Sequence, residues 1–134
     1  MSYKLNPITS KLDYYNSLVE IQVAASDETT AITAGTAKVT FRLPCAFTLT
    51  EVRASLTTAQ TSGSIFTVDI NLGGVSVLGT KLTIDNTSKT SVGATTPATL
   101  VTTSMTDDGE ITIDVDQIGD GTAKGLKITL IGTR

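Results

Sequence analysis

Six acids crowd into residues 107–120: Asp107, Asp108, Glu110, Asp114, Asp116 and Asp120. Several carboxylate oxygens converging on one point are what a hard cation such as calcium requires. Asp114 to Gly119 approaches the opening of a helix-loop-helix calcium loop, but the fifth position is Ile118 and the twelfth, where a bidentate Glu is needed, is Gly125. Asp114 and Asp116 fit instead as solvent-facing neighbours of Ile113 and Val115. Paired carboxylates are also the machinery of glycoside hydrolysis. With three Tyr, three Phe and no Trp, however, few rings exist to stack a sugar. Residues 119–125, GDGTAKG, carry glycine and lysine in suggestive order. A phosphate loop needs its Lys directly after the last Gly, with a helix behind it. Here Lys124 precedes Gly125 and a strand pattern follows, so a turn is expected.

The missing side chains narrow the chemistry further. The chain has no His, the side chain best suited to proton transfer at neutral pH and the commonest metal ligand. Neither a Ser-His-Asp nor a Cys-His site can be built. The one Cys, Cys45, excludes an internal disulfide and any thiolate metal cluster. Just after Pro44 and before a strand pattern, it reads as a small apolar or strand-end residue. Net charge is −3, and the ten basic residues lie scattered from Lys4 to Arg134. Nucleic-acid binding needs a basic stripe, which is absent. The opening residues lack the apolar run of a signal peptide, and no stretch reaches the roughly 18 apolar residues of a membrane span. The expectation is a soluble, non-enzymatic protein made in the cytoplasm, without cofactor, nucleic-acid partner or membrane association.

The elements that must position these residues are strands. Apolar residues alternate with polar ones from residue 19 onward, the signature of half-buried strands. Val19, Ile21 and Val23 alternate with Glu20, Gln22 and Ala24; Val39, Phe41 and Leu43 follow, stopped by Pro44. In residues 47–56 the apolar parity changes near Glu51, between Phe47 and Leu49 on one side and Val52, Ala54 and Leu56 on the other. A bulge or bend there restores a single buried face. Residues 66–72, 75–78, 81–84, 98–103, 110–116 and 125–132 continue the series. Gly73-Gly74, Asp85-Asn86, Asp107-Asp108-Gly109 and Gly119-Asp120-Gly121 mark turns, and residues 85–97 read as a loop. Eight or nine strands without a convincing helix predict an all-β fold, a β-sandwich or barrel, with a two-sheet antiparallel β-sandwich of 19–134 expected. The 26 threonines suit its outer faces, being β-branched, stiff and tolerant of water. Such a low-charge face loses little side-chain entropy on meeting a partner.

Residues 1–18 differ. All three tyrosines, Tyr3, Tyr14 and Tyr15, lie there, together with Leu5, Pro7, Ile8 and Leu12, whereas all three phenylalanines lie in the strand region. Fully extended, the segment reaches roughly 60 Å, against about 35 to 40 Å for the compact body. It is either a strand and turn tucked on the domain or an extended N-terminal arm that docks elsewhere. Tyrosine is both apolar and tolerant of water, so these seven residues are the candidate partner-docking set.

The opening KLNPITSKLDYY, residues 4–15, resembles the N-P-x-T-G-K-x-D start of small β-rich structural proteins of tailed bacteriophages. Residues 27–85 and the ending 110–134 look like the rest of that group. Ser10 stands where the pattern has Gly, and Cys45 where an aromatic is common. The resemblance implies a jelly-roll module on the virion surface, assembled in the host cytoplasm, with no catalytic residues to carry over. Its expected role is a capsid decoration, or cement, protein bound to the major capsid protein or other virion proteins as a homotrimer, the number that matches local axes of an icosahedral shell. The alternative is a tail-fibre or tail-associated receptor-binding module. A hydrolase acting on host glycans is the reading from a different class.

Overall fold

A computed structural model describes residues 2–6, 11–15 and 17–134 of the chain. Among them are thirteen strands and no helix: β1 (Ser2–Asn6), β2 (Lys11–Tyr15), β3 (Leu18–Ala24), β4 (Gly35–Arg42), β5 (Phe47–Ser55), β6 (Phe66–Leu72), β7 (Val75–Ser76), β8 (Leu78–Thr80), β9 (Leu82–Ile84), β10 (Thr99–Leu100), β11 (Ser104–Met105), β12 (Glu110–Gln117) and β13 (Lys127–Thr133). The fold is all-β and every pairing between strands is antiparallel. One main sheet has the order β11-β5-β13-β3. The other runs β4-β12-β6-β7, with β9 also on β6, and β8 and β10 form a small separate pair.

Two packed layers follow from the period of the sequence. Val19 of β3, Leu49, Val52 and Ala54 of β5, and Ile128 and Leu130 of β13 meet Phe66, Val68 and Ile70 of β6 and Ile111, Ile113 and Val115 of β12 in one buried cluster. The inward residues of the central strands β12 and β13 are at most 1% exposed. Each such Val, Leu, Ile or Phe contributes about 1.5–3 kcal/mol on burial. The outward positions carry Thr112 on β12, Thr129 and Thr133 on β13, and Thr48 and Thr50 on β5, so threonine does occupy the wetter register.

The parity change in β5 is a bulge. Ile131 pairs with Glu51 and its neighbour Gly132 with Leu49, leaving Thr50 as the extra residue. Its hydroxyl donates to the Ile131 carbonyl at 3.1 Å. The kink lets Phe47 and Leu49 before it and Val52 and Ala54 after it all face the core. Gly132 is small of necessity: a Cβ there would run into the Thr48 carbonyl and the Phe47 ring. A second irregularity lies in β4, where Ile113 pairs with Val39 and Val115 with Gly35. The looped-out stretch includes Ala37 at φ 48°, which extends the strand upstream of the alternation at Val39.

Gly73-Gly74 forms the β6–β7 turn, both glycines at positive φ (60° and 84°), as a tight hairpin requires. The segment expected as one strand over 98–103 is instead divided between β10 and β11. Between them Val101 N–H and Thr102 N–H both donate to the Val77 carbonyl, while Leu49 N–H donates to the Thr103 carbonyl. The chain is crossing from one sheet to the other there, and Val101 is left 66% exposed. Likewise Gly125, read as part of the last strand, precedes it at φ 71°. The strand count exceeds eight or nine because several two- and three-residue strands have no visible period.

At the N-terminus β1 and β2 form a ribbon with Tyr3 opposite Tyr14 and Leu5 opposite Leu12. By the period of two, positions 3, 5, 12 and 14 share one face. The two paired strands are each about 17 Å long. Pro7 and Ile8 lie outside the described residues.

Deleting Thr50 should force Phe47 and Leu49, or Val52 and Ala54, to the outer face. The expected loss is about 3–6 kcal/mol, two buried side chains' worth, read from urea unfolding; an unchanged midpoint would rule out this role for the bulge.

Candidate functional site

The acidic residues with most potential for chemistry lie on the outer face of the β4-β12-β6 sheet. The register places Asp114 directly opposite Asp69, and like charges across strands repel. Each is therefore supplied with donors. Asp69 Oδ1 accepts from Ser76 Oγ at 2.5 Å and from Ile70 N–H at 2.9 Å. Asp114 accepts from Ala37 N–H at 2.8 Å and from Asn71 Nδ2 at 3.0 Å. Asp116, the unmatched residue between Val115 and Gln117, pairs with Lys81 Nζ, which also lies 3.7 Å from Asp69 Oδ2. Lys81 is held above the usual lysine range, first by its hydrogen bond to Asp116. Although they sit on the outer face, Asp69 and Asn71 are more than 90% buried.

This arrangement anchors the irregular part of β4. Ala37, with its left-handed backbone, has its N–H satisfied by Asp114, and Asn71 holds the other oxygen of the same carboxylate. Asp114 and Asp116 were expected to be solvent-facing; their positions agree, but both are engaged in specific bonds.

Asp120 organises a second cluster. Its Oδ2 accepts from the N–H of Thr61 at 2.9 Å, the N–H of Ser62 at 3.0 Å and the Thr61 hydroxyl at 2.8 Å. Its Oδ1 accepts from the Thr122 N–H at 3.0 Å and hydroxyl at 2.6 Å. The carboxyl is held far below its ordinary range, first by the Thr122 hydroxyl and then by the N–H and hydroxyl of Thr61. GDGTAKG is therefore a turn whose acid ties down a loop some sixty residues earlier in the chain. Beneath it Gln60 is fully buried. Its Nε2 donates to the Ser64 carbonyl at 2.8 Å and to Asn86 Oδ1, while its Oε1 has no donor. Gly119, at φ 62°, packs against this amide with no space for a Cβ.

Three further acids also fasten loops. Asp27 caps its own turn through Thr30 N–H at 2.7 Å and Thr29 N–H at 3.1 Å. Glu28 pairs with Lys127 and accepts from the Thr57 hydroxyl; Lys127 lowers its pKa most. Asp85 accepts from Thr95 N–H at 2.9 Å and from its hydroxyl at 3.0 Å, giving the threonine-rich loop a fixed point. Glu110 makes only an exposed 3.5 Å pair with Arg42. No group of three or more His, Cys, Asp or Glu among the described residues could hold a metal ion. Cys45 is free, half-buried and packed against the core.

Gln60, Asn71, Ser76, Lys81 and Lys127 were not candidates from the sequence. Only one signal was available, an acid at a strand or turn position in need of a donor. Several of the donors lie far away in sequence, Lys81 35 residues from Asp116 and Thr61 59 from Asp120. The candidate docking residues Tyr3, Leu5, Leu12, Tyr14 and Tyr15 fall in the N-terminal ribbon, and Pro7 and Ile8 outside the described residues.

No family model, no curated protein and no solved structure matches this chain. No helix among the described residues is long and apolar enough to cross a membrane.

A carboxyl whose folded pKa is depressed adds stability above its unfolded value, near 3.9, and that stability is lost as pH falls through the folded value. Asp120→Asn should therefore lower the melting temperature at pH 7. The gap from wild type should narrow steadily from about pH 4 downward. A gap independent of pH in thermal scans between pH 7 and pH 2 would mean that the charge of Asp120 is not what fastens the loop.

Proposed function

We propose that this chain is a structural protein of a bacteriophage particle, a jelly-roll module that binds the head surface as a decoration or cement protein. The observation that carries the reading is the strand order. In one sheet the sequence of strands is β3-β13-β5-β11 and in the other β4-β12-β6 with β7 and β9. Successive long strands alternate between the sheets, and β12 and β13 return to fill the gaps left by the first half. This order supports reading the sandwich as two interlocked Greek keys, a jelly roll, an architecture found in capsid and lectin domains.

Three further features favour recognition over reaction. Asp69, Asp114, Asp116 and Asp120 are committed to donors within the protein. The outer strand positions carry short, stiff threonines, which lose little entropy in a contact. The body is preceded by a ribbon that pairs Tyr3 with Tyr14 and Leu5 with Leu12. Together with the resemblance of residues 4–15, 27–85 and 110–134 to phage structural proteins, these features favour a partner among virion proteins, the major capsid protein first. In this reading the ribbon is the anchor and the sandwich is displayed.

Heads purified without the protein should bind the full chain and fail to bind one lacking residues 1–15. The described core cluster runs from Val19 to Leu130, so the truncated chain should melt as a folded domain. Equal occupancy by both chains would overturn the anchor. Antibody label over the whole head is the expected image on intact particles; label at the tail alone would instead identify a receptor-binding fibre module.

A further inference from the structure

The two sheets have four borders, and three of them are protected against pairing with another chain in ways that natural sheets use. In the β4 edge, Ala37 with its φ of 48° breaks the run and Lys38 follows. On the far side of β5, β11 has two residues. Beyond β6, β7 and β9 have two and three. The fourth border, β3, has none of these features. It pairs with β13 over seven consecutive residues without a register shift, and LVEIQVA contains no Pro, Lys, Arg or Gly.

The flanking bonds show which backbone groups of β3 face outward. Ser17 and Arg134 exchange two backbone hydrogen bonds, at 3.2 and 2.9 Å, and Ala25 N–H donates to the Leu126 carbonyl at 2.8 Å. Along this register the odd-numbered residues of β3 are the hydrogen-bonded partners of β13, because antiparallel pairs alternate. The N–H and C=O groups of Leu18, Glu20, Gln22 and Ala24 therefore point to the open edge. On the core side, Ile21 and Val23 are only half-buried, whereas the facing Ile128 and Leu130 are at most 1% exposed. On the outer side Leu18 is 64% exposed.

We propose that the β3 edge is a homotypic interface, at which β3 of a second copy adds antiparallel about a two-fold axis and makes one continuous sheet of two β11-β5-β13-β3 halves. Only even-numbered residues can form the hydrogen-bonded pairs across this edge, which restricts the register. Centred on Ile21, the pairing sets Leu18 against the partner's Ala24 and Glu20 against the partner's Gln22, and uses all seven residues. Ile21 meets its own symmetry mate in a close, non-hydrogen-bonded pair facing the core, with Val19 against Val23 beside it. The register centred on Glu20 would oppose two carboxylates, which is unfavourable. The register centred on Gln22 would shorten the overlap. A two-fold contact of this kind is self-complementary and gives a dimer, in place of the homotrimer expected from shell symmetry. The surface buried by one added strand is at the small end for protein interfaces, so association should depend on concentration.

Light scattering coupled to gel filtration on the full chain, across a concentration series, should show a mass rising from 14.0 kDa toward twice that value. Gln22→Pro removes an N–H that points away from β13, a position at which an edge strand accepts proline. It should keep the strand-type circular dichroism and remain a monomer throughout. Gln22→Lys places a lysine opposite the partner's Glu20 twice per dimer, and Gln22→Glu places a glutamate there. The first should tighten and the second weaken dimerisation, each by roughly 2- to 30-fold. These two surface changes keep the test valid if the proline variant does not fold. A single-chain mass at every concentration, a dimer or trimer indifferent to position 22, or the opposite order for Lys and Glu would overturn the proposal.

Discussion

Everything in this molecule depends on two strands that come last in the chain and lie in the middle of the sheets. β12 must find β4 on one side and β6 on the other, and β13 must find β3 and β5. Neither layer is complete until residues 110–133 are in place. Their inward residues, Ile111, Ile113, Val115, Ile128 and Leu130, are among the best buried of the cluster, because a central strand is screened on both flanks as well as across the core. The cost is topological. Bonds between the two ends of the chain, such as that between Ser17 and Arg134, require long loops to close before they contribute anything. Folds dominated by such contacts form slowly.

That constraint explains how polar residues are used. A sandwich of short strands leaves many loops, and each must be held in place without a helix or a disulfide. The chain does this with single carboxylates. Asp27 and Asp85 close turns, Asp120 binds two loops together, and Asp114 satisfies a backbone N–H in the irregular part of β4. Where β12 and β6 bring Asp114 opposite Asp69, Lys81, Asn71 and Ser76 provide the compensating donors. Acids that could have formed a cation site or a catalytic pair are thereby occupied as fasteners. Beside these fasteners the described residues present surface: a paired N-terminal ribbon, stiff threonine-bearing sheet faces and the long edge of β3.

Much of the fold was legible residue by residue. The long strands, the Gly73-Gly74 turn and the bulge near Glu51 could be read because each leaves a local mark, a period of two, a pair of glycines or a change of parity. The divided passage at 98–105 left no such mark. Its course is set by the Val77 and Thr103 carbonyls, which the local sequence cannot announce. The acids of the candidate site were equally visible, but their roles were not. Asp120 looks like any turn aspartate until Thr61 and Ser62 are seen to donate to it. The first segment shows the same division: its tyrosines stand out in the sequence, while their register across the ribbon does not.

By itself the sequence determined the fold class, most inward positions of the long strands and the chemistry that is out of reach. These depend on residue type and on spacing along one strand, and alternation with β-branched residues specifies them locally. Without histidine and with one cysteine, no His-based or thiolate-cluster site can form, whatever the fold. Only the tertiary structure decided which strand lies beside which, which donor each carboxylate receives, and that, among the described residues, β3 borders its sheet over seven regularly paired residues. Those properties arise from contacts between residues tens of positions apart, where many pairings satisfy the same local pattern. Simultaneous burial of both sheets selects one of them.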